Sequence, residues 1–419
     1  MQQDSFRQGS WDMVEPLAVC EWQHLSALVR MHAWPDSNHE VAVPARGGFL
    51  PCSAAELQFR SFDQALRANL ARTTMAATDL TAAKQCIREL EQVTLELGPR
   101  WRVKPFGGIA NGFATRGSDL DVTCYIEGME ASYRPFATQE LQMQLLPLLR
   151  GHPRFEVIDQ IWTARVPILK LRFDRQLDVD LSCHNTEALP NTQLLRAYAE
   201  LSPQVRELGL MIKLWAKEEG VCGAPRGYLS SYSLTLMAIY YMQVDPQVCM
   251  PCLPTAHYSG TDTASPKERM VWACPFPTQV LLARFFRFYA SEFEWCAEVV
   301  SVRRGARARA EDPVYSQLGA SCSWRLHVED PILTGRNLHC VLGPQQEFDF
   351  YTKICNAAES IQSGLLPDRL GRHLQPLGAP AAGGPVGLLL GARAAGAGGG
   401  RSGESSVQAA SSDSETGAR

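Results

Sequence analysis

Two aspartates one residue apart, Asp119 and Asp121, follow the glycine pair Gly107-Gly108 after an interval of ten residues. On a β-strand, positions i and i+2 face the same side, so a strand here presents both carboxylates on one surface, at the edge of a sheet. Like charges held that close raise each other's pKa unless a cation stands between them. Paired carboxylate oxygens suit Mg²⁺, a hard ion, with Mn²⁺ as its substitute. The glycines add a second chemistry. Phe106-Gly107-Gly108 and Asn111-Gly112 let the backbone approach a phosphate with no Cβ in the way. Asp-Leu-Asp alone is more often a solvated strand face, and its spacing from the glycine pair is what turns it into a candidate site. A third carboxylate is expected on a neighbouring strand. The run Leu177-Asp178-Val179-Asp180-Leu181 supplies it, and parity puts Asp178 and Asp180 on the same face, so either satisfies the pattern.

Those residues need a small sheet to hold them. Val103–Phe106, Val122–Ile126, Phe155–Ile158, Val166–Phe173 and Leu177–Leu181 are short, β-branched or alternating, and predict strands. A helix at about Thr138–Leu149 interrupts them. Upstream, apolar residues at helical spacing (Leu57, Phe62, Leu66, Leu70, then Ile87, Leu90, Val93, Leu97) predict two helices broken at Thr73–Thr74 and ended by Gly98-Pro99. After Pro190 the pattern is helical, at Thr192–Leu201, Pro203–Glu219, Ser230–Gln243, Thr278–Phe288 and Phe348–Ile361, with a loop at Leu253–Pro275. The fold class is α+β. The expected organisation is an N-terminal extension over 1–54 packing on the body through a helix around Leu17–Val29. A catalytic domain follows over 55–190, a helical domain over 191–365, and a Gly/Ala/Ser-rich disordered tail over 366–419.

Composition excludes several classes. With 40 basic and 44 acidic residues the net charge is −4, so a polyanion must be held by a local basic site. That favours a processing enzyme over a coating protein. Thirteen cysteines, an odd number scattered singly, argue against a disulfide framework and for a reducing compartment. Cys249, Cys252, His257 and Cys274 form a weak zinc pattern, and isolated thiols are the expected reading. No stretch is long and apolar enough to span a membrane. The N-terminus lacks a secretory core, and Asp4, Asp12 and Glu15 suit a transit peptide poorly, which leaves cytoplasmic and mitochondrial placement both open.

At the level of motifs the sequence resembles the polymerase-β-type nucleotidyltransferases, and more narrowly the terminal uridylyltransferases and related poly(A) polymerase-like enzymes. The resemblance rests on Phe106-Gly107-Gly108, Asn111-Gly112-Phe113 and Ser118-Asp119-Leu120-Asp121-Val122. It continues through Ala164–Lys170, Val179–Asn185, Lys213–Lys217 and Leu229–Ser233, then Phe285–Phe293 and Val328–Pro331, over roughly residues 55–365. The compact architecture is similar to the kinetoplastid uridylyltransferase branch.

This resemblance implies a polymerase-β-like catalytic domain followed by a poly(A) polymerase-associated domain, adding nucleotides to an RNA 3′ end. It implies Asp119, Asp121 and Asp180 as catalytic metal ligands, with Asp178 structural or exposed. Two Mg²⁺ ions about 3.5–4 Å apart would act in such a site. Gly107, Gly108 and Ser118 would meet the triphosphate. Lys213 and Lys217, four residues apart on one helix, would reach it from the second domain together with Ser231. Tyr232 would stack on the base, and Asn191 would read the ribose hydroxyls. Arg165 and Lys170 would contact RNA, and the run Arg303, Arg304, Arg307 and Arg309 could guide its backbone. Each has a plainer alternative: a solvated face for the lysines and arginines, a core position for the tyrosine.

The base pocket departs from the uridylyltransferase pattern. Leu333 stands where many carry an acid and Arg336 where many carry a histidine, while Asp330 and Asn337 are retained. Arginine has only donors. It can bond O4 of uracil and would meet the amino group of adenine unfavourably, while Asp330 can accept from uracil N3–H. The expectation is therefore UTP, with ATP use by a poly(A) polymerase-like enzyme as the alternative. A catalytically inactive RNA-binding scaffold is the other, and membership of a protein complex is left open.

Overall fold

In the computed structural model of this chain the described residues are 54–129, 134–258, 270–320 and 325–362. The helix expected near Leu17–Val29, the N-terminal extension and the tail beyond 366 lie outside them.

Two helices, α1 (Ala54–Thr73) and α2 (Ala77–Leu95), break where expected. The hydroxyls of Thr73 and Thr74 turn back to donate to the carbonyls of Asn69 and Leu70, both at 2.6 Å. The Asp79 carboxylate accepts from the Ala76 N–H and starts the second helix. Gly98, with φ of 144°, carries the chain out of α2.

Five strands then form one mixed sheet: β1 (Trp101–Phe106), β2 (Leu120–Ile126), β3 (Phe155–Ile161), β4 (Ile168–Phe173) and β5 (Leu177–Cys183), in the order β1-β2-β5-β4-β3. Only β2 and β5 run parallel. Alternation makes the sheet two-faced. Leu169, Leu171 and Phe173 on β4, with Leu177, Val179 and Leu181 on β5, are buried against Cys86, Leu90, Leu141, Leu145 and Leu149. Lys170, Arg172, Asp178 and Asp180 point the other way.

Helical structure at Ala137–Gly151 covers that inner face but is not continuous. A π-turn over Leu141–Leu145 separates Ala137–Glu140 from Leu146–Gly151. Pro147, which has no N–H to donate, follows this irregular turn. The expectation of both aspartates on an edge strand is corrected here. β2 is interior, between β1 and β5, and Asp119 lies in the turn before it, so Asp121 alone is a strand residue.

The rest is helical. α3 (Ala188–Leu201), α4 (Pro203–Glu218), α5 (Ser231–Val244), α6 (Thr278–Arg287) and α7 (Pro344–Gln362) enclose one core that includes Tyr198, Trp215, Tyr240, Tyr241, Phe285, Phe286 and Phe350. α5 is apolar nearly all round and buried accordingly. Two strands the sequence does not announce, β6 (Val299–Val300) and β7 (His327–Val328), pair in parallel. Two residues are too few to show a period. Of the expected loop at Leu253–Pro275, Thr255–Tyr258 form a 3₁₀ turn, and residues 259–269 lie outside the described part.

Candidate active site

The register of the sheet sets the site. Asp121 on β2 lies directly across from Asp180 on β5, and Phe106 flanks it on β1. Asp119 enters from the turn ahead of β2. Gly107 follows Phe106 with φ of 66°, and a Cβ there would stand 2.1 Å from Asp121 Oδ2, so only glycine fits. Its N–H donates to Thr192 Oγ1 at 3.1 Å, tying the glycine turn to α3. The turn is closed by the buried Asn111, whose Oδ1 accepts from the Phe113 N–H, and by Gly112 at φ of 89°. Ser118 Oγ accepts from the Thr115 N–H, so in the structure this hydroxyl braces the loop before Asp119.

The carboxylates strain one another electrostatically. Burial, then the charges of Asp180 and Asp119, push the Asp121 carboxyl up to about 7. Asp119 is raised as well, by burial and then by Asp180. Asp180 is engaged by the Lys170 ammonium at 2.9 and 3.3 Å. Asp178 is turned to solvent and paired with Arg172 at 2.8 Å. Among the described residues no three His, Cys, Asp or Glu side chains already converge on a common ion position. The donor set still fits a hard divalent cation. Three carboxylates share one surface, and Asp121 is held so far above the usual carboxylate range that added positive charge would relieve it.

The opposite wall is helical. Lys213 and Lys217 on α4 face the carboxylates closely enough that Lys213 acts on Asp121 and Lys217 on Asp119. Lys213 is buried, donates to the Phe113 carbonyl at 3.4 Å, and is pushed down by burial and by Lys217. Lys217 is exposed. Beyond them Asn191 Nδ2 donates to the fully buried Asp330 carboxylate at 3.2 and 3.3 Å. Asp330 also accepts from the N–H groups of Ile332 and Leu333, and Arg336 reaches it at 3.6 Å. The Tyr232 hydroxyl is buried without a hydrogen-bond partner and feels the charges of Asp330 and Arg336. Ser231 opens α5, just after Ser230, whose Oγ accepts from the Ser233 N–H.

Residues 62–200 match the family model described as the central palm domain of mitochondrial-like poly(A) RNA polymerase, and residues 279–336 the Cid1 family poly A polymerase model. Both models describe poly(A) polymerase-like enzymes, and between them they cover a little under half of the chain. It is 32% identical over 291 residues to the poly(A) RNA polymerase GLD2-A of Xenopus laevis, covering 65% of this chain and 54% of that one. To the poly(A) RNA polymerase GLD2 of Homo sapiens it is 31% identical over 294 residues, covering 65% and 58%. The matched region is thus little more than half the length of these relatives. In fold it is similar to the Cid1 poly(U) polymerase bound to the UTP analog UMPNPP, with a TM-score of 0.62 at 21% identity over 74% of this chain and 97% of the other. A cytoplasmic RNA terminal U-transferase gives 0.59 at 22%, over 74% and 98%.

In this geometry some expected roles change. The arginine run does not present free cations to RNA. Arg303 pairs with the buried Glu329 at 2.5 Å, Arg304 with Asp312, Arg307 with Glu298 and Arg309 with Glu294. Lys170, expected on RNA, sits on Asp180. Arg165 is exposed, lies 3.6 Å from Glu187, and lines a cavity of about 390 Å³ with His184 and Asn185. Cys249, Cys252 and Cys274 donate to separate backbone carbonyls, of Pro246, of Val302 and Arg303, and of Phe276. The described cysteines are free thiols. Thr192 and Gly209 are the residues sequence reasoning missed. Thr192 adjoins Asn191, which is a usable signal. Gly209 lies in mid-helix, where its only sequence trace is an unfavourable residue without local purpose.

Proposed function

We propose that this chain is a template-independent nucleotidyltransferase that extends RNA 3′ ends, with UTP as its preferred donor. The observation that carries the reading is the register of Asp121 against Asp180, with Asp119 alongside and Lys213 and Lys217 facing them. Asp119, Asp121 and Asp180 would hold Mg²⁺, which when bound neutralises triphosphate charge and acidifies the 3′-hydroxyl. The protein's own groups do the positioning. The glycine turn at Gly107-Gly108 leaves room for the phosphates, and the two ammonium groups bind them from the other wall. Tyr232 would offer its face to any base, and Asn191 would read a ribose hydroxyl.

Donor choice rests on Arg336. It brings only N–H donors to the pocket, which suits uracil O4 and opposes the adenine amino group. A second reading, ATP as donor, is favoured by the relatives named as poly(A) RNA polymerases. Leu333, standing where many uridylyltransferases carry an acid, removes one acceptor that uracil N3–H would use. Intact carboxylates weigh against an inactive scaffold.

Extension of a labelled RNA with each of the four nucleoside triphosphates tests both readings. UTP is expected to give the highest kcat/KM, and a preference for ATP would replace the first reading with the second. Asp121→Ala should abolish addition at an unchanged fold, while Asp178→Ala should keep most of it. Robust activity in the Asp121 variant would sink the mechanism.

A further inference from the structure

On the outer face of the sheet, β4 and β5 carry two cross-strand charge pairs in the same register. Lys170 stands opposite Asp180 and Arg172 opposite Asp178. The outer pair, Arg172–Asp178, lies in solvent with side chains 40% and 52% exposed, where an ion pair contributes little. The inner pair differs in one respect. Its acid, 19% exposed, belongs to the carboxylate group of the active site, and its ammonium lies on both oxygens of Asp180. The same ammonium acts on Asp119 and Asp121. Without it, the three carboxylates would face each other with Lys213 and Lys217 of the far wall as the remaining cations acting on them among the described residues.

We propose that Lys170 is a resident counter-cation of the carboxylate site, which a divalent metal must displace from Asp180, so that this side chain sets the metal concentration at which the site fills. This inference rests on the carboxylates binding metal, as proposed above, and gives Lys170 a role other than holding RNA. The physical reason is additive charge. A fixed positive charge within a few ångströms of a cation site lowers its affinity for a dication, and it occupies lone pairs the metal needs. The ammonium also keeps Asp180 solvated by a charge partner while the metal is away, so the sheet can fold with the site unfilled.

The test uses the full chain and MgCl2 alone, without RNA or nucleotide, reading melting temperature against Mg²⁺ concentration from an EDTA-treated start. Lys170→Met should melt lower than the parent in EDTA, yet reach half of its Mg²⁺-induced shift at about tenfold lower Mg²⁺. Lys170→Arg, which retains the charge, should keep the parent midpoint. Arg172→Met removes the neighbouring pair on the same face and should leave the midpoint unchanged. Should Lys170→Met fold too poorly to melt cooperatively, Lys170→Gln replaces it, and Mn²⁺ binding read by paramagnetic resonance gives the same comparison. An unchanged or raised midpoint in the Met and Gln variants overturns the inference. A parent with no Mg²⁺ response at all, matched by Asp121→Asn, would overturn the metal reading itself, which is a different failure.

Discussion

Asp121 is a half-buried carboxyl group with two other carboxylates for neighbours, and burial together with their charges pushes it up to about 7. The sign follows from linkage. The folded state holds the proton more tightly than the unfolded chain, whose aspartate titrates near 3.8. Stability from the protonated form is therefore complete below that value and is lost as pH rises through 7. In metal-free buffer Asp121→Asn should melt higher than the parent at pH 8, by an amount worth at most about 4 kcal/mol at ~1.4 kcal/mol per unit. The gap should close as the pH falls towards 4. A gap independent of pH would show that Asp121 is not the strained acid. This residue was visible in the sequence because its chemistry needs a fixed residue type at a fixed spacing. Choosing Asp180 over Asp178 from residues alone was not, because both have the same parity. What separates them in the fold is the lateral register of β2 on β5, and the resemblance chose the one that faces Asp121.

Elements position these groups through contacts that local patterns do not encode. The glycine turn is braced from behind, where Gly209 on α4 lies against the ring of Phe113, and a Cβ there would meet Phe113 Cε1 at 2.6 Å. The same helix carries Lys213, whose ammonium donates to the Phe113 carbonyl. Gly209→Ala should thus shift Phe113 and the turn together. A loss of about 1–3 kcal/mol in stability is expected from overpacking, with a raised KM for nucleotide. Gly151→Ala, where a Cβ meets nothing within 4 Å, serves as the control. Equal stabilities and equal KM values for the two variants would show that the close approach does not matter. Several helix and strand ends were missed by two to four residues, as at Ala188 and Pro344, where the period fades at the element's end. The presence and type of most helices and strands were readable from their apolar periods. The π-turn and the two-residue strands were not, since neither leaves a period. The arginine run could not be decided from sequence for a related reason. Its acids, Glu294, Glu298, Asp312 and Glu329, are brought to it by turns and by the β6–β7 pairing.

At the scale of the whole molecule, the sheet supplies the carboxylates and the helical half supplies the groups a nucleotide would meet beyond its phosphates. Asp330 links them: it comes from the segment after β7 and is bonded by Asn191, which follows the sheet in sequence. Its oxygens accept from that amide and from two backbone N–H groups, and its charge is met by Arg336 at the longer distance of 3.6 Å. Removing Arg336 leaves the Asp330 carboxylate hydrogen-bonded but without this cation, which costs stability at a buried charge. Arg336→Ala is therefore assayed below its own melting temperature, where the ratio of the two nucleotides isolates the arginine's effect on base choice. Stacking on Tyr232 is indifferent to base identity, whereas an unmatched polar edge costs about 1–3 kcal/mol. Tyr232→Ala should consequently lower kcat/KM for UTP and ATP by similar factors. Arg336→Ala should lower it for UTP selectively and narrow the UTP/ATP ratio by about tenfold, the equivalent of ~1.4 kcal/mol. An unchanged ratio would move Arg336 from the base to the phosphates or the RNA. A ratio that widens would mean that the arginine favours adenine, and the poly(A) reading would then follow from the same pocket.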